Sequence, residues 1–184
     1  YVKGEGELAF ANLVAELIRV NMKKNNLKKE IPSVHYIMSD GRAQITLSVE
    51  RIKDLTEIPS PYLAGKLDEF FDGKLQPVIQ TTRGCPFACT FCVEGMSYYT
   101  KVYRSSDEKV KDELHYIGSK MQKMRSKGGR NDLIVVDSNF GMFNQDVETC
   151  KTIAECQTKY HWPEYISATT GKNNKTRVLN AARL

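Results

Sequence analysis

The sequence predicts an α/β protein built as a parallel β/α series. Three observations carry that expectation. From residue 76 onward, apolar runs of strand length alternate with amphipathic runs of helix length. The run DLIVVD (132–137) is apolar almost throughout, as a parallel strand covered on both faces should be. Each expected strand leads through a polar loop into an expected helix, the connection that right-handed crossovers require.

Residues 7–20 are expected to form a helix, with Phe10, Val14, Leu17 and Ile18 as its apolar stripe. The polar run NMKKNNLKKE ends it. HYIMSDGRAQITLS (35–48) holds two short strand-like runs around Asp40-Gly41, a pair suited to a tight hairpin turn. LTEIPSPYLAG (55–65) is an extended linker, because its prolines remove donors and push their predecessors out of the helical region. QPVIQTT (76–82) is then a buried strand. Residues 105–129 form a helix. Ser105 and Glu108 fit a capping box, Val110, Leu114, Ile117, Met121 and Met124 make its core face, and Gly128-Gly129 closes it. The second strand, 132–137, is followed by a loop, SNFGMFN. A second helix spans 145–160 with Asn144 as N-cap, and a third strand spans 164–170. GKNN turns into a third helix that runs to Leu184. Trp162 and Tyr160 are expected between helix and sheet.

Composition narrows the function classes. Hydrophobic residues make up 41% and charged residues 27%, so a packed core is affordable. No apolar run reaches the ~18 residues of a membrane span. The N-terminus lacks the features of a signal peptide and reads as the interior of a longer polypeptide. The net charge of +5 is dispersed, and aromatics do not interleave with the basic runs, so nucleic acid is not the expected partner. Five cysteines without a secretion signal point to a reducing, cytoplasmic setting and to metal chemistry rather than disulfides.

The chemistry centres on TTRGCPFACTFCVEG (81–95), where Cys85, Cys89 and Cys92 follow the first strand at C-x3-C-x2-C spacing. A structural zinc site needs four ligands, and His115 is the one residue that could complete a Cys3His set. An electron-transfer iron–sulfur cluster normally needs four cysteines. Cys150 and Cys156 lie on the second helix about 120° apart, and there read as small buried hydrophobes. Three thiolates on a [4Fe–4S] cluster leave one iron open, the condition that catalysis at a metal requires.

This spacing, with the aromatic Phe91 just before the last cysteine, resembles the signature of radical S-adenosylmethionine (radical SAM) enzymes. The resemblance runs over roughly residues 50–184 and includes the Tyr-Arg-Ser-Ser stretch at 103–106 and VDSNF at the second strand end. It implies a partial parallel (β/α) barrel with about three β/α units present. It also implies a cluster that reductively cleaves S-adenosylmethionine to a 5′-deoxyadenosyl radical, which takes a hydrogen atom from substrate. Cys85, Cys89 and Cys92 map onto the cluster ligands, and Phe91 onto the position beside the adenine. Gly84 and Pro86 shape the loop. Where many members carry Gly-Gly-Glu, this chain has Asp137, Ser138 and Asn139. Asp137 or Asn139 either accepts from the methionine ammonium or makes a strand-end Asx turn. Thr170 and Lys172 end the third strand, where cofactor or substrate could be reached; Lys172 either pairs with a carboxylate or is a solvated loop lysine.

A second resemblance narrows the subgroup. VKGEGELAFANLVAEL (2–17) is similar to the end of the cobalamin-binding Rossmann domain of cobalamin-dependent radical enzymes, and IPSPYLAG also looks like those proteins. The expected organisation is therefore residues 1–22 as the tail of a cobalamin domain, 23–74 as a linker with a hairpin, and 75–184 as the N-terminal part of the barrel. Cobalamin-contacting motifs would lie upstream of Tyr1. The acids Glu5 and Glu7 also suit a helix N-terminus on simple electrostatics. The implied reactions are methyl transfer or a radical rearrangement on a small-molecule or other substrate, with an electron donor such as flavodoxin or ferredoxin. Two alternatives stay open. One is a methylthiotransferase-like enzyme, whose extra N-terminal cysteines are missing from residues 1–75. The other is a non-catalytic iron–sulfur or zinc module.

Overall fold

The computed structural model describes residues 1–27, 30–47, 51–171 and 175–184. The chain divides into two compact units, Tyr1–Lys53 and Asp54–Leu184.

In the first unit, α1 (Gly6–Arg19) is followed by a hairpin of β1 (Tyr36–Ile37) and β2 (Ala43–Gln44), paired antiparallel around the expected Asp-Gly turn. A small core gathers Ala9, Ile31 and Val34, with Val2, Leu13 and Tyr36 packed against it. The expected stripe on α1 does not face this core: Phe10, Val14 and Ile18 are exposed, while Ala9 and Glu16 are buried. Glu5 stands at the N-cap of α1 but makes no side-chain cap bond. Its carboxylate instead takes Arg51 Nε at 2.8 Å and the Ile52 N–H at 2.9 Å. Both partners of that ion pair are almost buried, so the acid closes this unit rather than only complementing a helix dipole.

In the second unit, a three-stranded parallel sheet has the order β3 (Val78–Ile79), β6 (Asp132–Phe140), β7 (Tyr165–Thr170). Two helices, α2 (Asp107–Arg125) and α3 (Asn144–Tyr160), supply the covering layer, and α4 (Lys175–Ala181) follows β7. The core joins Ile79, Leu133 and Val135 of the sheet to Val110, Leu114, Ile117 and Met121 of α2 and Ile153 and Cys156 of α3. Trp162 is fully buried within it, and Tyr160 packs against it. The buried face of α2 is the one the sequence spacing predicts, apart from Met124, which is only half-buried. β6 is covered on one face and not on both as expected, with Leu133 and Val135 buried and Val136 46% exposed, because α2 and α3 pack against the Leu133–Val135 face. Mixed α/β architecture with a parallel sheet is thus what the chain forms.

Four boundaries differ from expectation. The run 76–82 is not one strand. It breaks into β3 and β4 (Thr82–Arg83), and β4 pairs antiparallel with β5 (Tyr103–Arg104). The break falls where the backbone N–H groups of Thr81 and Thr82 bond to the Asp137 carboxylate instead of to a neighbouring strand. β6 continues to Phe140 through the expected SNF loop. The helix caps each move by one residue. Ser106, not Ser105, accepts the Lys109 N–H at 3.2 Å; Ser105 still belongs to the ribbon, its N–H bonded to the Thr81 carbonyl, so the helix starts one residue later. Phe143, not Asn144, precedes α3, and its N–H donates to Asp146 at 2.8 Å.

Candidate functional site

The cysteine loop is the connection of the short antiparallel ribbon β4–β5. The ribbon pairs Thr82 with Arg104 and Arg83 with Tyr103, and the Cys85 N–H closes the stem on the Tyr99 carbonyl at 2.9 Å. Gly84 turns the chain out of the ribbon at φ +112°. A Cβ there would sit 2.4 Å from the Lys101 oxygen, so this position excludes any side chain on two grounds. Cys89 and Cys92 share a single turn, with the Cys92 N–H on the Cys89 carbonyl at 3.2 Å. Gly95 then lies directly on the Cys89 backbone, where a Cβ would come within 2.1 Å of the Cys89 oxygen. The sequence reading passed over Gly95; its signal was a glycine three residues beyond the last cysteine of the motif.

The thiols are free. Cys85 and Cys89 are half-buried and Cys92 is exposed. Phe91 beside it is 87% exposed, and Val93 and Met96 are also exposed, so the loop turns several apolar side chains outward. Among the described residues, no group of three or more His, Cys, Asp and Glu side chains converges closely enough to hold one metal ion. The donor set nonetheless fits an iron–sulfur cluster in chemistry: three soft sulfur donors on one accessible loop, with a side-chain N–H already bonded to one sulfur.

That N–H comes from the end of β6. Asp137, Ser138 and Asn139 each reach the 81–95 segment. Asp137 is 1% exposed and accepts from the Thr81 N–H at 2.7 Å, the Thr82 N–H at 3.1 Å and the Thr81 hydroxyl. Burial pushes its carboxyl above the usual carboxylate range, against the pull of those donors. Ser138 Oγ donates to Glu94 at 2.7 Å. Asn139 Nδ2 donates to Cys85 Sγ at 3.1 Å. Neither Thr81–Thr82 nor the Ser138–Glu94 pair was singled out from sequence, because partners so far apart leave no local pattern. Arg104 of β5 ties the ribbon to α3, standing 3.7 Å from Asp146 and over the Phe143 ring.

The other expected site residues lie as follows. Thr170 ends β7 and pairs in register with Phe140, which brings it next to the end of β6. Lys172 lies outside the described residues. Cys150 and Cys156 sit in or against the core, and burial pushes both thiols up to about 11. At neutral pH they are protonated, which suits packing and not metal binding. His115 is engaged by Cys156 at 3.7 Å and by Glu155 at 3.6 Å. A cavity of about 180 Å³ lies between the 55–62 segment and β3, and it contains none of the three cysteines. Its lysine, Lys109, is held by the carbonyls of Leu55 and Ile58. No helix among the described residues is long and apolar enough to cross a membrane.

Fold and site together define a parallel α/β unit whose first strand leads into a three-thiol loop braced from the second. No protein-family profile matches the chain. It is 26% identical over 186 residues to the cobalamin-dependent radical SAM methyltransferase TokK of Streptomyces tokunonensis, covering 98% of this chain and 25% of that protein. It is 27% identical over 188 residues to the 2-(S-pantetheinyl)-carbapenam-3-carboxylate methyltransferase of Streptantibioticus cattleyicolor, covering 99% and 26%. The chain therefore spans about a quarter of the length of these relatives. In fold it matches the cobalamin-dependent S-adenosylmethionine radical enzyme OxsB, with TM-score 0.57 at 17% identity over 96% of this chain and 25% of that one. The resemblance read from the sequence thus has a curated counterpart, a cobalamin-dependent radical SAM methyltransferase that matches nearly the whole of this chain.

Proposed function

We propose that this chain carries the cluster loop and first barrel strands of a cobalamin-dependent radical SAM methyltransferase. The observation that supports it best is the Cys85–Cys89–Cys92 loop at the end of β3, held from the end of β6 through Asn139 and Ser138. Cys85, Cys89 and Cys92 would hold a [4Fe–4S] cluster, whose binding couples to the folding of the loop that carries them. Such a cluster would supply one-electron reduction of S-adenosylmethionine.

The protein's own residues position that chemistry. Gly84 and Gly95 let the loop fold back on its own backbone. Phe91, exposed beside Cys92, offers its ring to the adenine and shields it from water. Asp137 fixes the start of the loop by holding Thr81 and Thr82, while Asn139 and Thr170 stand at the strand ends where the cosubstrate binds, and Lys172 is a further candidate contact from sequence alone. The three parallel strands begin a partial barrel. Residues 1–22 close a cobalamin domain, 23–74 link it to the barrel, and 75–184 start the barrel. The setting is cytoplasmic. The partners are a small-molecule substrate and a low-potential electron donor such as flavodoxin or ferredoxin.

The test is anaerobic reconstitution of the full-length protein with iron and sulfide. Reductant and S-adenosylmethionine are then added, and 5′-deoxyadenosine and a methylated product are sought. Cys89→Ala is expected to abolish the brown absorbance and Cys150→Ala to leave it. Equal loss in both would refute the ligand assignment, and a loaded protein that never cleaves S-adenosylmethionine would refute the enzymatic reading.

A further inference from the structure

The two polar atoms of the Asn139 side chain have different surroundings. The residue is 5% exposed. Its Nδ2 donates to Cys85 Sγ at 3.1 Å, whereas its Oδ1 is buried with no hydrogen-bond partner. A sulfur bound to a cluster is only an acceptor, and this orientation, with the amide nitrogen on the sulfur and the oxygen away, is the one that suits it. A buried amide oxygen left unpaired costs free energy, and native proteins seldom leave one without a reason. Its neighbours on β6 are already committed, Asp137 to Thr81 and Thr82 and Ser138 to Glu94. Asn139 is the member of the trio that keeps an acceptor in reserve.

The two ends of an amide are electronically linked. A donor that bonds to the oxygen shifts electron density away from the nitrogen and makes its N–H a better donor. A stronger N–H···S bond withdraws charge from the sulfur and favours the more negative, reduced form of an attached iron–sulfur centre. We propose that Asn139 is a positioning residue that relays arrival of a hydrogen-bond donor at its Oδ1 to the Cys85 sulfur, so that the cluster becomes easier to reduce when its cosubstrate is in place. This rests on the reading of Cys85 as a cluster ligand. The step moves one electron from an external low-potential donor into the cluster, and no bond of Asn139 is made or broken. Its benefit is that reducing power is drawn in only when there is something to reduce.

The test compares midpoint potentials of the anaerobically loaded full-length protein, titrated with dithionite with and without S-adenosylmethionine. Iron and sulfide content serve as the folding control. In the wild type, S-adenosylmethionine is expected to raise the potential. Asn139→Leu is expected to lower the unliganded potential by roughly tenfold in the reduction equilibrium, ~59 mV for one electron, and to blunt the response to S-adenosylmethionine. Asn139→Asp keeps the shape, loses the donor and adds charge, so its potential should fall at least as far. Asn139→Gln should recover part of the loss. Equal potentials and equal responses in loaded wild type and Asn139→Leu overturn the relay alone. A wild type that takes up no cluster overturns the proposed function and the relay together. If the variants fail to load, the wild type decides the matter by ¹⁵N labelling of asparagine. A side-chain nitrogen coupling to the reduced cluster that grows on adding S-adenosylmethionine supports the relay, and its absence overturns it.

Discussion

Replacing Asp137 by alanine is expected to destabilise the Asp54–Leu184 unit by about 3–4 kcal/mol, since each buried donor left unpaired costs ~1–3 kcal/mol. Three donors lose their acceptor: the N–H groups of Thr81 and Thr82 and the Thr81 hydroxyl. The hydroxyl can rotate to another partner, but the two amides cannot; at ~1–3 kcal/mol each they give about 2–6 kcal/mol, and the expected loss lies near the middle of that span. It is a large share of the ~5–15 kcal/mol that holds a typical domain together. Asp137→Asn is the discriminating control. Its amide oxygen still accepts both backbone N–H groups, which share one carboxylate oxygen in the wild type. Its NH2 donates to the Thr81 hydroxyl, which turns to accept, and the expected loss is under ~1 kcal/mol. Urea unfolding followed by circular dichroism at neutral pH separates the two through the midpoint at constant slope. A loss under ~1 kcal/mol for alanine, or equal losses for both variants, would show that the carboxylate does not anchor the loop.

The same residue predicts a pH dependence. Burial raises the Asp137 carboxyl in the folded state, so the folded chain binds that proton more tightly than the unfolded chain does. Its contribution is therefore fully present below the unfolded value of ~3.9 and is lost as pH rises through the higher folded value. Asp146, also raised first by burial, acts in the same direction; the part of its rise that comes from the Asp137 charge disappears in Asp137→Asn, which adds to the difference with the same sign. Measured against wild type, the Asp137→Asn protein should gain relative stability as pH rises through that window. A difference that stays flat from acid to neutral pH would contradict the sign.

Two further substitutions test the local geometry. Gly95→Ala drives a Cβ into the Cys89 backbone and should cost ~1–3 kcal/mol locally; iron and sulfide content after reconstitution should fall while the core's unfolding midpoint hardly moves. Ser106→Ala should cost about 1 kcal/mol in urea unfolding, and Ser105→Ala much less, because Ser106 caps α2; the reverse order would move the cap back to Ser105.

Local rules made much of this chain legible. The buried face of α2 and the hairpin turn at Asp40-Gly41 follow from spacing within one element, whereas the apolar run of β6 suggested cover on both faces and only the Leu133–Val135 face has it. The thiol loop was legible because its three cysteines lie within eight positions of sequence. What local pattern could not supply was the choice of neighbour. On α1 the stripe Phe10–Val14–Ile18 marks an apolar face, but the face that meets the small core is the one carrying Ala9. Ser105 and Ser106 are equally good caps by composition; the long-range bonds of their N–H groups, to the Thr81 carbonyl and the Thr56 hydroxyl, leave Ser105 in the ribbon and Ser106 at the cap. The polar run Ser138-Asn139 looked like a loop because its partners, Glu94 and Cys85, are more than forty positions away.

The geometry of β6 explains how three consecutive residues can all serve one segment. In a regular strand, neighbours alternate between faces, so 137, 138 and 139 would not converge. Here the pairing with β7 slips: β6 advances from Val135 to Phe140 while β7 advances only from Ala168 to Thr170. The extra β6 residues are released from the ladder, as in a bulge, and their side chains can be re-aimed. The released stretch is the one that bonds Thr81, Glu94 and Cys85. The irregularity also keeps Phe140 in register with Thr170, so the strand resumes immediately after the loop contacts. A regular β6 would build the same sheet and core, but it would leave the cysteine loop attached only through its own ribbon. The slip is therefore the feature that connects the fold to the site, and it explains why polar residues occupy the end of an otherwise apolar strand.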